Sequence, residues 1–278
     1  VRHGRPGHRL TFVRKQRLRA AAALLAWVTM TGCAPGSTPR ATALPADRMV
    51  FMVMSAGGMV PSVIYALQSP SLAMYGKRRV LTAVPAPALQ PVPARYEVAR
   101  VDPADVQQFV AAARSSGLLG GSIDFGAPRM TDLATTTVLA NDHGEPAQVR
   151  VYALNQQFET GLTPAQRDAR DRLRALTASA AALPGGAPRQ PFSPERVTVH
   201  EPLPGRNDEP ATAVWPGPPL SDFMNASTAR RAVACGELTG PAAGAVYQAA
   251  LQNPGARWLV DGTTRVLAVN PLPLAGCS

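Results

Sequence analysis

Several kinds of residue and pattern are scarce in this sequence, and each scarcity excludes something. Aromatic residues are 5% of the chain and charged residues 17%. Rings this few and scattered do not interleave with basic residues, the arrangement by which single strands of nucleic acid are gripped. No 18 consecutive residues are all apolar, so no stretch has the length and character of a membrane-crossing helix. There are three cysteines and four histidines, and no His-Glu-x-x-His zinc spacing. A Gly-x-Ser-x-Gly elbow and a Ser-x-x-Lys signature are both missing. The glycine pairs that begin at Gly57, Gly120 and Gly185 have neither dinucleotide nor phosphate-loop spacing, so nothing points to nucleotide use. What is abundant also constrains the chain. With 46% hydrophobic residues it is not wholly disordered, and with 28 prolines and 23 glycines it is not an all-helical bundle.

The net charge of +10 suggests an acidic partner, until its distribution is examined. Arg2, Arg5, Arg9, Arg14, Lys15, Arg17 and Arg19 precede an uncharged stretch of 13 residues, Ala20–Gly32, and no acid lies among them. A basic segment, an apolar segment and small residues at its end have the pattern of a secretory signal peptide, expected over residues 1–32. Thirteen helical residues span about 20 Å, short of the roughly 30 Å hydrocarbon core. From residue 33 onward there are 21 basic and 18 acidic residues, a net charge of +3. The apparent call for nucleic acid is therefore the export signal, and no nucleic-acid partner is expected.

The apolar stretch ends at Met30-Thr31-Gly32-Cys33, which resembles the lipobox of bacterial lipoproteins. Gly32 before Cys33 carries the match; Met30 and Thr31 depart from the usual leucine and smaller residue. The resemblance implies that Cys33 is acylated and becomes the mature N-terminus, with membrane lipid as its partner at the extracytoplasmic face. Two or more acyl chains are enough for stable anchoring. Residues 33–48, rich in Pro, Gly, Ser, Thr and Ala, then form a lipidated tether. The alternative is cleavage after Ala41-Thr42-Ala43, which gives a secreted protein. The export signal, the lipobox and the composition together resemble lipoproteins of high-GC, actinobacteria-like bacteria. Pro70–Val80 and the cysteine-closed tail are also similar to a family of secreted proteins for which no activity is known.

With Cys33 assigned to lipid, Cys235 and Cys277 remain as a pair 42 residues apart, and a disulfide is expected in an oxidising compartment. The sharper alternative makes one of them a nucleophile with His200 or His143 as its base.

Patterning indicates an α+β fold of antiparallel β-hairpins with a few packed amphipathic helices. An α+β region is expected over 49–183, a Pro/Gly linker over 184–195, and a smaller α+β region closed by the disulfide over 196–278. Met49–Met54 reads as a buried strand that Met59–Leu67 continues beyond a glycine break, and Leu72–Val84 as a hairpin with the basic tip Lys77-Arg78-Arg79. Asp102-Pro103 and Thr163-Pro164 each open a helix. On the second helix Arg167, Asp168, Arg170, Asp171, Arg172 and Arg174 fall opposite the apolar face, with Asp168–Arg172 and Arg167–Asp171 at i,i+4 spacing. Asp261-Gly262 is a two-residue hairpin turn.

Few residues suggest chemistry. Met49, Met52, Met54 and Met59, with Met74 beyond, are soft ligands suited to Cu(I), and on a strand Met52 and Met54 share a face. The same residues are ordinary core filler. His143, in the turn-forming segment Asn141–Pro146, and the carboxylates Asp124 and Asp132 are candidates for an acid/base pair. Lys77-Arg78-Arg79 and Arg230-Arg231 are suited to anionic headgroups or wall polymers. The expectation is an exported, lipid-anchored envelope protein that binds a ligand or partner or serves a structural role, without catalysis or cofactor. An envelope hydrolase and a copper-handling protein are the alternatives.

Overall fold

The structure is a computed structural model that describes residues 44, 48–87, 90–202, 209–226, 232–272 and 277. The expected signal peptide, Cys33, most of the tether and Arg230-Arg231 lie outside the described residues.

The apolar run at residue 49 becomes β1 (Met49–Gly57), an interior strand of a seven-stranded antiparallel sheet. Its companions are β2 (Leu72–Tyr75), β3 (Arg79–Ala83), β4 (Tyr96–Arg100), β5 (Ala134–Ala140), β6 (Ala147–Tyr152) and β7 (Arg189–Pro191), in the order β6-β5-β1-β2-β3-β4-β7. Residue alternation divides the sheet's side chains between two faces. Phe51, Leu72, Met74, Val80, Val138 and Val149 form one face. They pack with Val106 and Val110 of α2 (Pro103–Ser115) and Ala169 and Leu173 of α3 (Pro164–Ala182). Ala73, Leu81, Tyr96 and Val98 share a second cluster with Phe192 and Leu272. Asp102 caps α2, its carboxylate accepting from the Ala104 amide at 2.9 Å. Thr163 and Gln166 close a capping box on α3.

Beyond β7 the chain forms β8 (Arg196–Pro202), β9 (Ala213–Val214), β10 (Met224–Ala226), β11 (Ala232–Thr239), a helix Gly240–Gln252, β12 (Arg257–Val260), β13 (Thr263–Val266) and β14 (Ala268–Asn270). A four-stranded sheet runs β10-β11-β8-β14 and a three-stranded one β13-β12-β9. Of the strand pairings described, only β12 with β9 is parallel. Trp215 and Trp258 meet edge to face at 5.6 Å in this core. The fold is α+β, as the patterning indicates. Asp261 and Gly262, at φ 48° and 75°, make the turn between β12 and β13. Among the described residues no helix is long and apolar enough to cross a membrane.

Four readings of the sequence change. Met59–Leu67 does not continue the sheet: Ser62–Leu67 is a short helix, α1, entered through Pro61. The helix Gly240–Gln252 is accordingly α4. The 184–195 segment is not linker throughout, since its residues 189–191 add the edge strand β7 and Phe192 joins a core cluster; the described residues from 44 onward belong to one compact unit.

Arg170 is fully buried rather than solvated. Its guanidinium donates to the carbonyls of Phe125 (2.7 Å), Ala153 (2.8 Å), Tyr152 (2.9 Å) and Gly126 (3.1 Å). The flanking loops bring carbonyls to that side of the helix, which the 3.6-residue period cannot register. Nor are Asp168–Arg172 and Arg167–Asp171 among the ion pairs described; Arg174 instead bridges Asp171 and Glu159.

Asn270 of β14 fastens the two parts of this unit together and is buried. Its carbonyl oxygen accepts from Ser69 Oγ and the Leu272 amide, each at 3.0 Å. Its amide nitrogen donates to Gln68 O at 3.0 Å and Ala66 O at 3.4 Å.

Candidate functional site

Cys235 and Cys277 are joined in a disulfide, Cα to Cα 5.3 Å. The bond removes both as free thiols, although β-pairing sets His200 directly opposite Cys235. Burial holds the His200 imidazole below the usual histidine pKa.

The remaining candidates are dispersed. Asp124 accepts from the Gly126 amide and the Gln166 side chain, each at 2.8 Å, and these bonds lower its pKa. Asp132 sits at φ 65° before β5. His143 follows β5, so a seven-residue strand, about 20 Å long, separates it from Asp132. Asp142 beside it accepts from the Gly144 amide, which lowers its pKa, and pairs with Arg114 at 3.1 Å. The Asp124 and Asp142 carboxylates hold local turns together. Among the described residues no group of three or more His, Cys, Asp or Glu side chains could hold a metal ion.

The methionines do not make an open ligand set either. Met52 is buried and faces the same side as the half-buried Met54, whereas Met59 is 77% exposed beyond the end of the strand. Met49 lies in the cluster with Leu81 and Leu272, and Met74 is fully buried on the opposite face. Two exposed thioethers side by side, which a copper site on this strand requires, are not present at Met52 and Met54.

Two arginines without an acidic partner among the described residues meet elsewhere. In the hairpin of β2 and β3, Tyr75 is paired with Arg79, and Arg79 with Arg100 of β4. Directly opposed residues share a sheet face. Alternation therefore puts Tyr75, Arg79 and Arg100 on the face of Leu81 and Val98. The Arg79 guanidinium lies 5.0 Å from the centre of the Tyr75 ring, a cation–π contact. Burial raises the Tyr75 pKa against the pull of Arg79 and Arg196, so the phenol stays protonated at neutral pH.

Two cavities adjoin along this row, sharing Arg79, Phe192 and Ser193 in their walls. One, of about 190 Å³, extends past Tyr75, Glu195 and Arg196 to Leu272. The other, of about 380 Å³, extends past Val98, Arg100 and Pro188. Together they make a groove with arginines along it and apolar side chains between them. Arg196 has an acidic neighbour, Glu237, at 3.7 Å. No ion pair among the described residues includes Arg79 or Arg100.

Sequence reasoning singles out Arg79 as part of a basic tip but misses Arg100, Arg196, Tyr75 and Phe192. Arg100 ends a strand of alternating character, and only the strand order makes it the neighbour of Arg79. Phe192 lies in what composition marks as a linker. No family model, no curated protein and no solved structure matches this chain.

Proposed function

We propose that this is an exported envelope protein, anchored at the extracytoplasmic face of the cell membrane by acyl chains on Cys33, that binds a ligand without transforming it. The observation that carries this reading is the Cys235–Cys277 disulfide. Such bonds persist where the medium is oxidising and are rare in the reducing cytosol. It uses two of the three cysteines and leaves Cys33, directly after Gly32 at the end of the uncharged stretch. A binding role is supported by the groove around Arg79, and by the use of Asp124 and Asp142 in local turns.

The test is intact mass of the full chain expressed in a bacterium that processes lipoproteins. The expected species begins at Cys33 and carries acyl chains, and Cys33→Ala moves the protein from the membrane fraction to the soluble one. A mature, unacylated species that begins near Leu44 refutes the anchor.

A further inference from the structure

We infer that the groove takes an organic phosphate, its phosphoryl head between Arg79 and Arg100 and its apolar body along Val98, Pro188 and Phe192. The inference rests on the binding role proposed above and names the class of ligand.

The first support is the cross-strand pairing of Arg79 with Arg100. Like charges directly opposite one another destabilise a sheet, and an anion between them reverses the sign of the interaction. The second is how other arginines of this chain are used. Arg114, Arg174, Arg257 and Arg265 each pair with a carboxylate, and buried Arg170 is saturated by carbonyls. Arg79 and Arg100 are in no ion pair among the described residues, as is true also of arginines such as Arg95 and Arg150. Among the register pairs described, however, only Arg79 and Arg100 set two arginines directly opposite each other. Tyr75 packs against the Arg79 guanidinium and restricts where it points, which reduces the ordering cost of binding.

The charge balance selects the head group. A phosphate monoester carries about −1.5 to −2 at pH 7 and offers three terminal oxygens. Two forked guanidiniums can each engage such a group, whereas one carboxylate neutralises only one of them. The position of the head follows as well. The Arg196 end already holds Glu195 and Glu237, so it attracts an anion less than the Arg79–Arg100 end. The larger cavity, lined by Val98, Pro188, Pro191 and Phe192, lies beside Arg79 and Arg100, where an apolar body attached to the head can rest. A free phosphomonoester and a phosphatidic-acid headgroup present this same chemistry.

The experiment uses the full-length protein in detergent micelles, with phenyl phosphate as the probe and phenylacetate as the carboxylate control. Calorimetry is expected to show phenyl phosphate binding in preference to phenylacetate, with a rise in Tm beyond that given by chloride at equal ionic strength. Arg79→Ala and Arg100→Ala are each expected to weaken binding about tenfold or more, the effect of losing one charge-assisted contact. Arg150→Ala, an exposed arginine on β6, should leave it unchanged.

Because Arg100→Ala removes a like-charge pair, its Tm without ligand should equal or exceed that of the parent protein, which separates lost binding from lost folding. Vesicles of phosphatidylcholine with and without phosphatidic acid, mixed with the Cys33→Ala full chain, identify the source. Flotation that depends on phosphatidic acid and on Arg79 assigns a lipid headgroup; binding of phenyl phosphate without flotation assigns a free phosphomonoester. Equal binding of phenylacetate, or phosphate binding indifferent to both arginine substitutions, overturns the inference. An acylated protein that fails to bind refutes the ligand alone, and an unacylated one that binds refutes the anchor alone.

Discussion

Arg170 provides the most demanding test of how this fold is held together. Replacement by methionine keeps helix propensity and most of the side chain's length, so α3 itself is little affected. What is lost is a cation that serves four carbonyls, those of Phe125, Gly126, Tyr152 and Ala153. Phe125 and Ala153 are buried, so water cannot easily replace the guanidinium there. Ala153 also lies at φ 51°, a left-handed conformation costly for alanine, and the bond from Arg170 helps to hold it.

Hydrogen bonds to a charged group contribute about 1.5–3 kcal/mol each, and several kcal/mol of that total is offset by desolvating the cation. The expected net loss for Arg170→Met is about 3–5 kcal/mol. That is a large part of the 5–15 kcal/mol typical of a whole protein, roughly speaking. Arg170→Lys should fall between the two, since an ammonium has three donors for four carbonyls. Urea unfolding followed by circular dichroism measures the effect as a fall in the midpoint. A loss of less than about 1 kcal/mol with an unchanged m-value refutes the assignment of Arg170 as the fastener of these loops.

Other outcomes follow from the same structure. Replacing both Cys235 and Cys277 by serine opens a loop of 42 residues and should cost about 4 kcal/mol by the chain-entropy estimate; equal denaturation midpoints with and without reductant in the parent protein would contradict it. The Thr198 hydroxyl is buried without a hydrogen-bond partner among the described residues, so Thr198→Val should raise stability by about 1 kcal/mol, read as an increase in Tm. Burial depresses the His200 pKa in the folded state, so the unfolded chain takes up the proton first as pH falls. Stability should therefore decline below the unfolded value of about 6.5 and level off below the folded one, and His200→Gln should flatten that part of a urea-midpoint profile.

Much of the framework is legible residue by residue because it is local. Asp102-Pro103 and Thr163-Pro164 start helices through hydrogen bonds to amides only a few positions away. Asp261-Gly262 makes its turn through backbone preference alone. The α+β class follows from patterns within single segments. The short helix at Ser62–Leu67 is the local feature misread, because a run of six residues is too short for periodicity to separate helix from strand.

The candidate site is almost wholly non-local. Arg79 opposes Arg100 only because β3 and β4 pair in one register, and a slip of a single residue would turn them to opposite faces. Arg170 looks like a solvated residue until loops distant in sequence bring carbonyls to it, and Asn270 likewise gains its partners from residues far away along the chain. Phe192 and β7 show the same dependence, since a Pro- and Gly-rich segment becomes an edge strand only when β4 is there to receive it. By itself the sequence determined the fold class, the helix starts, the Asp261-Gly262 turn and the pairing of the two cysteines that the tertiary structure joins. Only the tertiary structure decided which arginines are buried, which are paired and which are left facing each other. The physical reason is that partners for a charged side chain come from segments whose proximity is set by packing, not by spacing along the chain.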